Sequence, residues 1–313
     1  MIEHTRRAAL LTGALSLAAA GTAQATPDRR VPTFVFAAGA NGSGGIPNEL
    51  VLRGYRCVGV DMPGQRTTDA QFRLSYQAPQ DLAAFAAERS PLAGVTYADQ
   101  IRATVEVVRR AARFGPVVLV GASIGGATIS LIANEVPHLI DLLVYDTAFC
   151  CVDLATPDEY MATPEAATTE ALALLGIAVG DPAVLGASRS NWRTADPKQL
   201  ADLKSALMAD GTDAEFFAFL NGVAPDELLT KGATDARGRL STWGRVPRVY
   251  IRHLKDRLVP LPLQDRFIRE ADKATTRNRF RVFDLDTGHV SNAASQARYL
   301  DILDRLGQGL KGS

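Results

Sequence analysis

The stretch Gly121-Ala122-Ser123-Ile124-Gly125 lies directly behind the apolar run Pro116-Val117-Val118-Leu119-Val120, and it constrains the fold more than any other part of the chain. The apolar run reads as a parallel strand buried on both faces. A serine between small residues, followed by helix-forming residues at 126–135, reads as a sharp strand-to-helix elbow. Such a turn needs small neighbours on both sides, here Gly121 and Gly125. It pushes the serine hydroxyl above the sheet, with the Ile124 N–H aimed at the same point. The pentapeptide is common in a chain rich in glycine, alanine and serine; the strand before it and the helix after it give it meaning.

Short apolar strands and helices alternate around this elbow. Strands are predicted at 31–37, 55–60, 116–120 and 139–145, with helices at 48–53, 97–114 and 126–135. Alternation of this kind means a parallel sheet with right-handed crossovers. The rhythm stops at Thr147, and residues 148–244 read mostly as helices with proline and glycine punctuation and no convincing strand. It resumes with a strand at 246–253, a helix at 261–271, a strand at 280–285 and a closing helix at 293–310. The expected architecture is α/β, a mostly parallel sheet of about six strands flanked by helices. Residues 26–147 and 245–313 form its core, and a helical lid at 148–244 is inserted before the last two strands.

The first 25 residues differ in kind. Arg6-Arg7 precede an apolar stretch ending at Ala20, and Ala23-Gln24-Ala25 follows, the pattern of an export signal with a small-residue cleavage site. The arginine pair resembles a twin-arginine signal, with a Sec signal as the alternative. The apolar stretch is too short to span a membrane. The expectation is export to the periplasm or outside the cell, with no stable membrane insertion once the signal is cut. Lysine plus arginine equal aspartate plus glutamate at 34 each, with no dense basic patch, which excludes nucleic acid as a partner. The 3 cysteines, Cys57 and the adjacent Cys150 and Cys151, suggest neither a disulfide framework nor a metal site. No metal or organic cofactor is expected.

Acyl transfer needs a nucleophile, a base, an acid that orients the base, and donors for the developing oxyanion. Ser123 is the nucleophile by position, although a serine there could also merely cap a helix. Of the 4 histidines, His4 lies in the signal and His138 is expected to start a strand at the far end of the sheet. His253 ends a strand, and His289 follows the last strand on the turn Asp286-Thr287-Gly288. Loops at strand C-terminal ends converge on the site of an open α/β sheet, which favours His289 as the base. Asp256, just past the strand at 246–253, is the first candidate acid, and Asp146, at the end of the strand at 139–145, is the alternate. Ile124 N–H and the glycine-rich loop after the first strand, through Ala40 N–H, are the expected oxyanion donors. That loop matches neither G-x-G-x-x-G nor the P-loop pattern, so a phosphate cradle is excluded. Asn41, Tyr160, Met161, Trp192, Phe216 and Phe217 are the candidate pocket residues.

Together these residues resemble the α/β-hydrolase superfamily over nearly the whole mature chain. The compact start resembles the esterase branch that includes plant methylesterases and hydroxynitrile lyases. The resemblance implies Ser123, His289 and Asp256 as a triad, Ala40 and Ile124 as oxyanion donors, and a small-molecule ester as the partner. Two positions depart from the branch. Its His-Gly after the first strand is Ala38-Gly39 here, so a histidine that steadies the oxyanion loop is missing, and its D-x-P-G-H-G is Asp61-Met62-Pro63-Gly64-Gln65-Arg66. Hydroxynitrile lyases of the branch carry a threonine and a lysine where this chain has Gly39 and Val290, which disfavours a lyase. The expected activity is serine-dependent hydrolysis of a carboxylic ester of a small or medium apolar substrate, with lactone or amide hydrolysis as the alternative.

Overall fold

The computed structural model describes residues 30–42, 44–65 and 73–311. The export signal expected at 1–25 lies outside them. Among the described residues no helix is long and apolar enough to cross a membrane.

The strands in chain order are β1 (Thr33–Ala37), β2 (Arg56–Gly59), β3 (Val117–Ala122), β4 (Leu142–Asp146), β5 (Ser188–Arg189), β6 (Asp226–Glu227), β7 (Arg248–His253) and β8 (Arg281–Leu285). The main sheet has the spatial order β2-β1-β3-β4-β7-β8, and every pairing in it is parallel. The arrangement of six parallel strands flanked by helices agrees with the sequence reading. The central strands β1, β3 and β4 are almost wholly buried, as continuous apolar runs covered on both faces must be.

Helices Tyr97–Ala112, Gly125–Glu135 and Leu261–Ala274 cover one face of the sheet, and helices Asn48–Leu52 and Ala293–Lys311 cover the other. Helix Tyr97–Ala112 shows why the sequence folds this way. Thr96 and Asp99 form a capping box, and Tyr97, Ile101, Val105 and Val108 fall on one buried stripe. Each aliphatic member of the stripe contributes about 1.5–3 kcal/mol through burial. Arg102, Glu106, Arg109 and Arg110 are left to the exposed side.

The register decides where chemistry can occur. Ala37 pairs with Gly121, Ala122 with Asp146, Asp146 with Ile251, and His253 with Leu285. The C-terminal ends of five strands therefore lie along one line, and the segments that follow them, carrying Ala40, Ser123, Thr147, Asp256 and His289, meet at one edge.

Two details differ from the sequence reading. The strand expected at 139–145 begins later, and His138 sits in a 3-10 turn, Pro137–Leu139, because Pro137 fixes a turn where a strand would need a free amide. The regular structure within residues 148–244 is mostly short helices joined by irregular segments, with a short antiparallel ribbon made by β5 and β6. Strands that short carry no periodicity, so the pattern does not show in sequence. The insertion also has an apolar cluster of its own, with Ile177, Trp192, Leu203, Leu207, Phe216 and Leu220 packed against Leu258.

Candidate active site

Ser123 holds φ 53, the left-handed region that a non-glycine residue avoids without a structural reason. Backbone bonds enforce it: Ser123 N donates to Asp146 O, and Ser123 O accepts from Gly126 N and Phe149 N. A Cβ on Gly121 would lie 2.5 Å from Gly125 O, and one on Gly125 would lie 2.6 Å from Ala38 O, so the small flanks are a steric necessity. Gly39 approaches the serine closely, since a Cβ there would stand 3.3 Å from Ser123 Cβ. This contact brings the loop of Ala40 against the elbow.

His289 Nδ1 and Asp256 Oδ2 are 2.7 Å apart. Asp256 is buried, and its carboxylate also accepts from Thr147 Oγ1 at 2.5 Å, Leu258 N at 2.7 Å and Val259 N at 2.9 Å. Burial works against its charge, but the neighbouring His289 ring, the Thr147 hydroxyl and the backbone amides outweigh it and hold the carboxyl below its ordinary pKa. An anion facing Nδ1 fixes the proton there and leaves Nε2 as the free, basic nitrogen. Thr147, with φ 39, was not singled out by sequence; its position one residue past β4 is the only signal it gives.

Asp146 does not meet His289. Its Oδ1 lies 3.0 Å from Nε2 of His253, whose Nδ1 lies 2.8 Å from Gly288 O. This corrects the alternate acid. Asp146 ends β4 beside Ile251, and the pairing places its carboxylate next to the end of β7 rather than the end of β8. His253 is buried. Its Nδ1 must donate, because a carbonyl only accepts, and opposite an ionised carboxylate Nε2 donates as well. Burial works against a charged ring, yet Asp146, Asp256 and the Gly288 carbonyl overcome it and raise the His253 pKa above its ordinary value.

A sign follows for stability. A raised folded-state pKa contributes stability that is fully present below the unfolded value, about 6.5, and is lost as pH rises through the folded value. Thermal melts of the wild type should therefore lose stability as pH rises above about 6.5, and His253→Gln should remove that component of the slope. An unchanged slope in the variant would assign the dependence to other groups.

Ser123, His289, Asp146 and His253 line one cavity of about 350 Å³, together with Gly39, Ala40 and Asn41. Ser123 Oγ and His289 Nε2 share this cavity but are not hydrogen-bonded to each other here. The remaining wall is mostly apolar: Leu174, Trp192, Leu207, Phe219, Val223, Leu258 and Val290. Of the pocket residues expected from sequence, Asn41 and Trp192 lie in this wall and four do not. Tyr160 is packed on Phe267 and bonded to Glu270, and Met161 sits against the same cluster. Phe216 is inside the insertion's own cluster and Phe217 is 48% exposed. Besides Trp192 and Phe219, aliphatic residues of the insertion and Leu258 form the wall, and the aliphatic types gave no clue to it. Among the described residues no cluster of histidine, cysteine or acidic side chains could hold a metal ion.

The insertion also binds the loop of His289. Val290 N donates to Leu207 O at 2.8 Å, Gly288 N to Asp210 Oδ1 at 3.2 Å, and Asn292 Nδ2 to Asp210 Oδ2 at 3.1 Å.

Solved structures similar to this chain include a pyrethroid hydrolase from Sphingobium faniae JZ-2, at 20% identity, covering 89% of this chain and 97% of that one with a TM-score of 0.61. Polyneuridine aldehyde esterase matches at 17% identity over 88% of this chain and 98% of its own, with a TM-score of 0.56. A methylesterase from Arabidopsis matches at 17% identity over 88% and 98%, with a TM-score of 0.55. No curated protein matches the sequence. The sequence profile described as the alpha/beta hydrolase family matches residues 14–302. With the sheet order, the elbow and this match together, the chain belongs to the α/β-hydrolase family.

Proposed function

We propose that this protein is a serine hydrolase that cleaves a carboxylic ester through an acyl-enzyme on Ser123. The observation that carries the reading is the strained serine at φ 53 in one cavity with a histidine whose far nitrogen is held by a buried carboxylate. His289 Nε2 takes the Ser123 proton as Oγ attacks the ester carbonyl. Asp256 keeps the imidazole in the required tautomer and balances its charge when it becomes imidazolium. The oxyanion is met by Ala40 N–H and Ile124 N–H. His289 then gives its proton to the leaving alcohol, and activates a water that releases the acid. The free enzyme's serine and histidine draw together when substrate fills the space between them.

The largely apolar wall and the volume of about 350 Å³ favour a small or medium apolar substrate, and residues 148–244 serve as the lid that supplies much of that wall. Polyneuridine aldehyde esterase and the Arabidopsis methylesterase are esterases by name and the pyrethroid hydrolase a hydrolase by name, which fits the reading.

A fluorophosphonate tests it. Intact mass should show a single adduct on the wild-type protein, peptide mapping should locate it on Ser123, and Ser123→Ala should not label. A well-folded wild-type protein that takes no adduct overturns the proposal.

A further inference from the structure

We infer that Glu227, carried by β6 of the insertion, is the positioning residue of the oxyanion loop; this rests on the serine-hydrolase reading above. The loop after β1 that carries Ala40 must be held in place for its N–H to serve as a donor. Asn41, next to the donor Ala40, is where the structure steadies it. Asn41 has φ 57, a conformation that a non-glycine residue keeps only under constraint. Its N–H donates to Glu227 Oε2 at 2.7 Å, its carbonyl accepts from Ala224 N at 2.7 Å, and its side-chain Nδ2 donates to Pro225 O at 3.4 Å. Every polar group of Asn41 that is bonded here is therefore bonded to residues 224–227. The peptide joining Ala40 to Asn41 is thereby held in orientation, which anchors the loop one residue beyond the Ala40 N–H.

Glu227 is itself held. Its Oε1 accepts from Leu228 N at 2.8 Å and pairs with Lys231 Nζ at 2.9 Å, and both side chains are buried. The Lys231 ammonium supplies a counter-charge directly beside this carboxylate. Lys231 Nζ stands 5.9 Å over the Tyr97 ring, and Tyr97 Oη is 2.8 Å from Thr128 Oγ1 on the helix that begins at the elbow. One buried chain of contacts thus runs from the loop of Ala40 to the helix whose start bears the Ile124 N–H, the two donors an oxyanion would need. A charged acceptor holds an amide more firmly than a neutral one, which suits a group whose task is to stop a loop from rotating.

Paired substitutions test this without leaving a buried unpaired charge. Glu227→Ala with Lys231→Met removes the acceptor; Glu227→Gln with Lys231→Met keeps a carbonyl facing Asn41 N. The wild type must first take the fluorophosphonate adduct; if it does not, the hydrolase reading fails and not this inference alone. Given that adduct, the alanine pair should lose about 30- to 100-fold in kcat on an activated ester while KM stays within about threefold. Its affinity for an aryl trifluoromethyl ketone, which forms a tetrahedral adduct on the serine, should fall by the same factor. The glutamine pair should return to within about fivefold of wild type. The inference is overturned if the alanine pair keeps wild-type kcat, or if both pairs lose activity together with their melting temperature. Should neither pair fold, hydrogen exchange at the Asn41 amide of the wild type decides: slow exchange supports the bond to Glu227, and exchange at the free-peptide rate overturns it.

Discussion

Replacing His289 with alanine is expected to lower kcat by about 10⁵- to 10⁶-fold, as removal of the general base does in serine hydrolases. Without the imidazole, the Ser123 hydroxyl has no proton acceptor in the cavity that is free to take one. His253 is present in the same cavity, but both of its ring nitrogens are committed, to Gly288 O and to Asp146. It cannot substitute. Ser123→Ala should cost a similar factor, and the double variant little more than either single one, because the proposed mechanism has the two groups act in one step. Single-turnover kinetics on an activated ester would measure this. Losses that multiply in the double variant would mean that Ser123 and His289 do not act as a unit.

Replacing Asp256 with asparagine is expected to lower kcat/KM by about 10⁴-fold with little change in KM. The carboxylate accepts from Thr147, two backbone amides and His289 Nδ1, and an amide group cannot accept in all four directions. With an –NH₂ facing the ring, Nδ1 becomes the acceptor, and the proton moves to Nε2, where it blocks attack. Asp146→Asn should cost less than about tenfold, because that carboxylate meets His253 and not the base. The comparison separates the two acids. A larger loss at Asp146 than at Asp256 would assign the acid's role to Asp146 and reverse the mechanism proposed here. The pH profile adds an independent sign: the carboxyl of Asp256 is held below its ordinary range, so the acid limb of kcat/KM should not report this carboxylate.

Much of the fold was legible because the central strands are continuous apolar runs. The elbow at Ser123 is a local pattern, and His289 and Asp256 stand just past strand ends, where a parallel sheet gathers its loops. What joins strands across the sheet was not legible. That Asp146 meets His253 depends on the pairing of Asp146 with Ile251, a register no local pattern reports. The cavity wall was harder still. Tyr160 and Phe216 are aromatic and lie in the inserted segment, as the expected pocket residues should, but they fill apolar clusters. Leu174, Leu207 and Leu258 line the cavity instead, and a leucine carries no mark of the surface it will face. The hold of Glu227 on Asn41 spans 186 positions and a ribbon of two-residue strands. It could be found only in three dimensions.

The bonds from Leu207 and Asp210 to the loop of His289 bear on how such a protein can acquire new substrates. A segment that only shaped the cavity could be exchanged between relatives as a cassette, with the chemistry left behind intact. Here the exchanged piece would take with it the acceptors for the Gly288 and Val290 amides, and the histidine between them would lose its setting. Under the proposed mechanism, side chains that face the cavity without holding a loop, such as Leu174 and Phe219, are the ones that can change without disturbing the setting of His289.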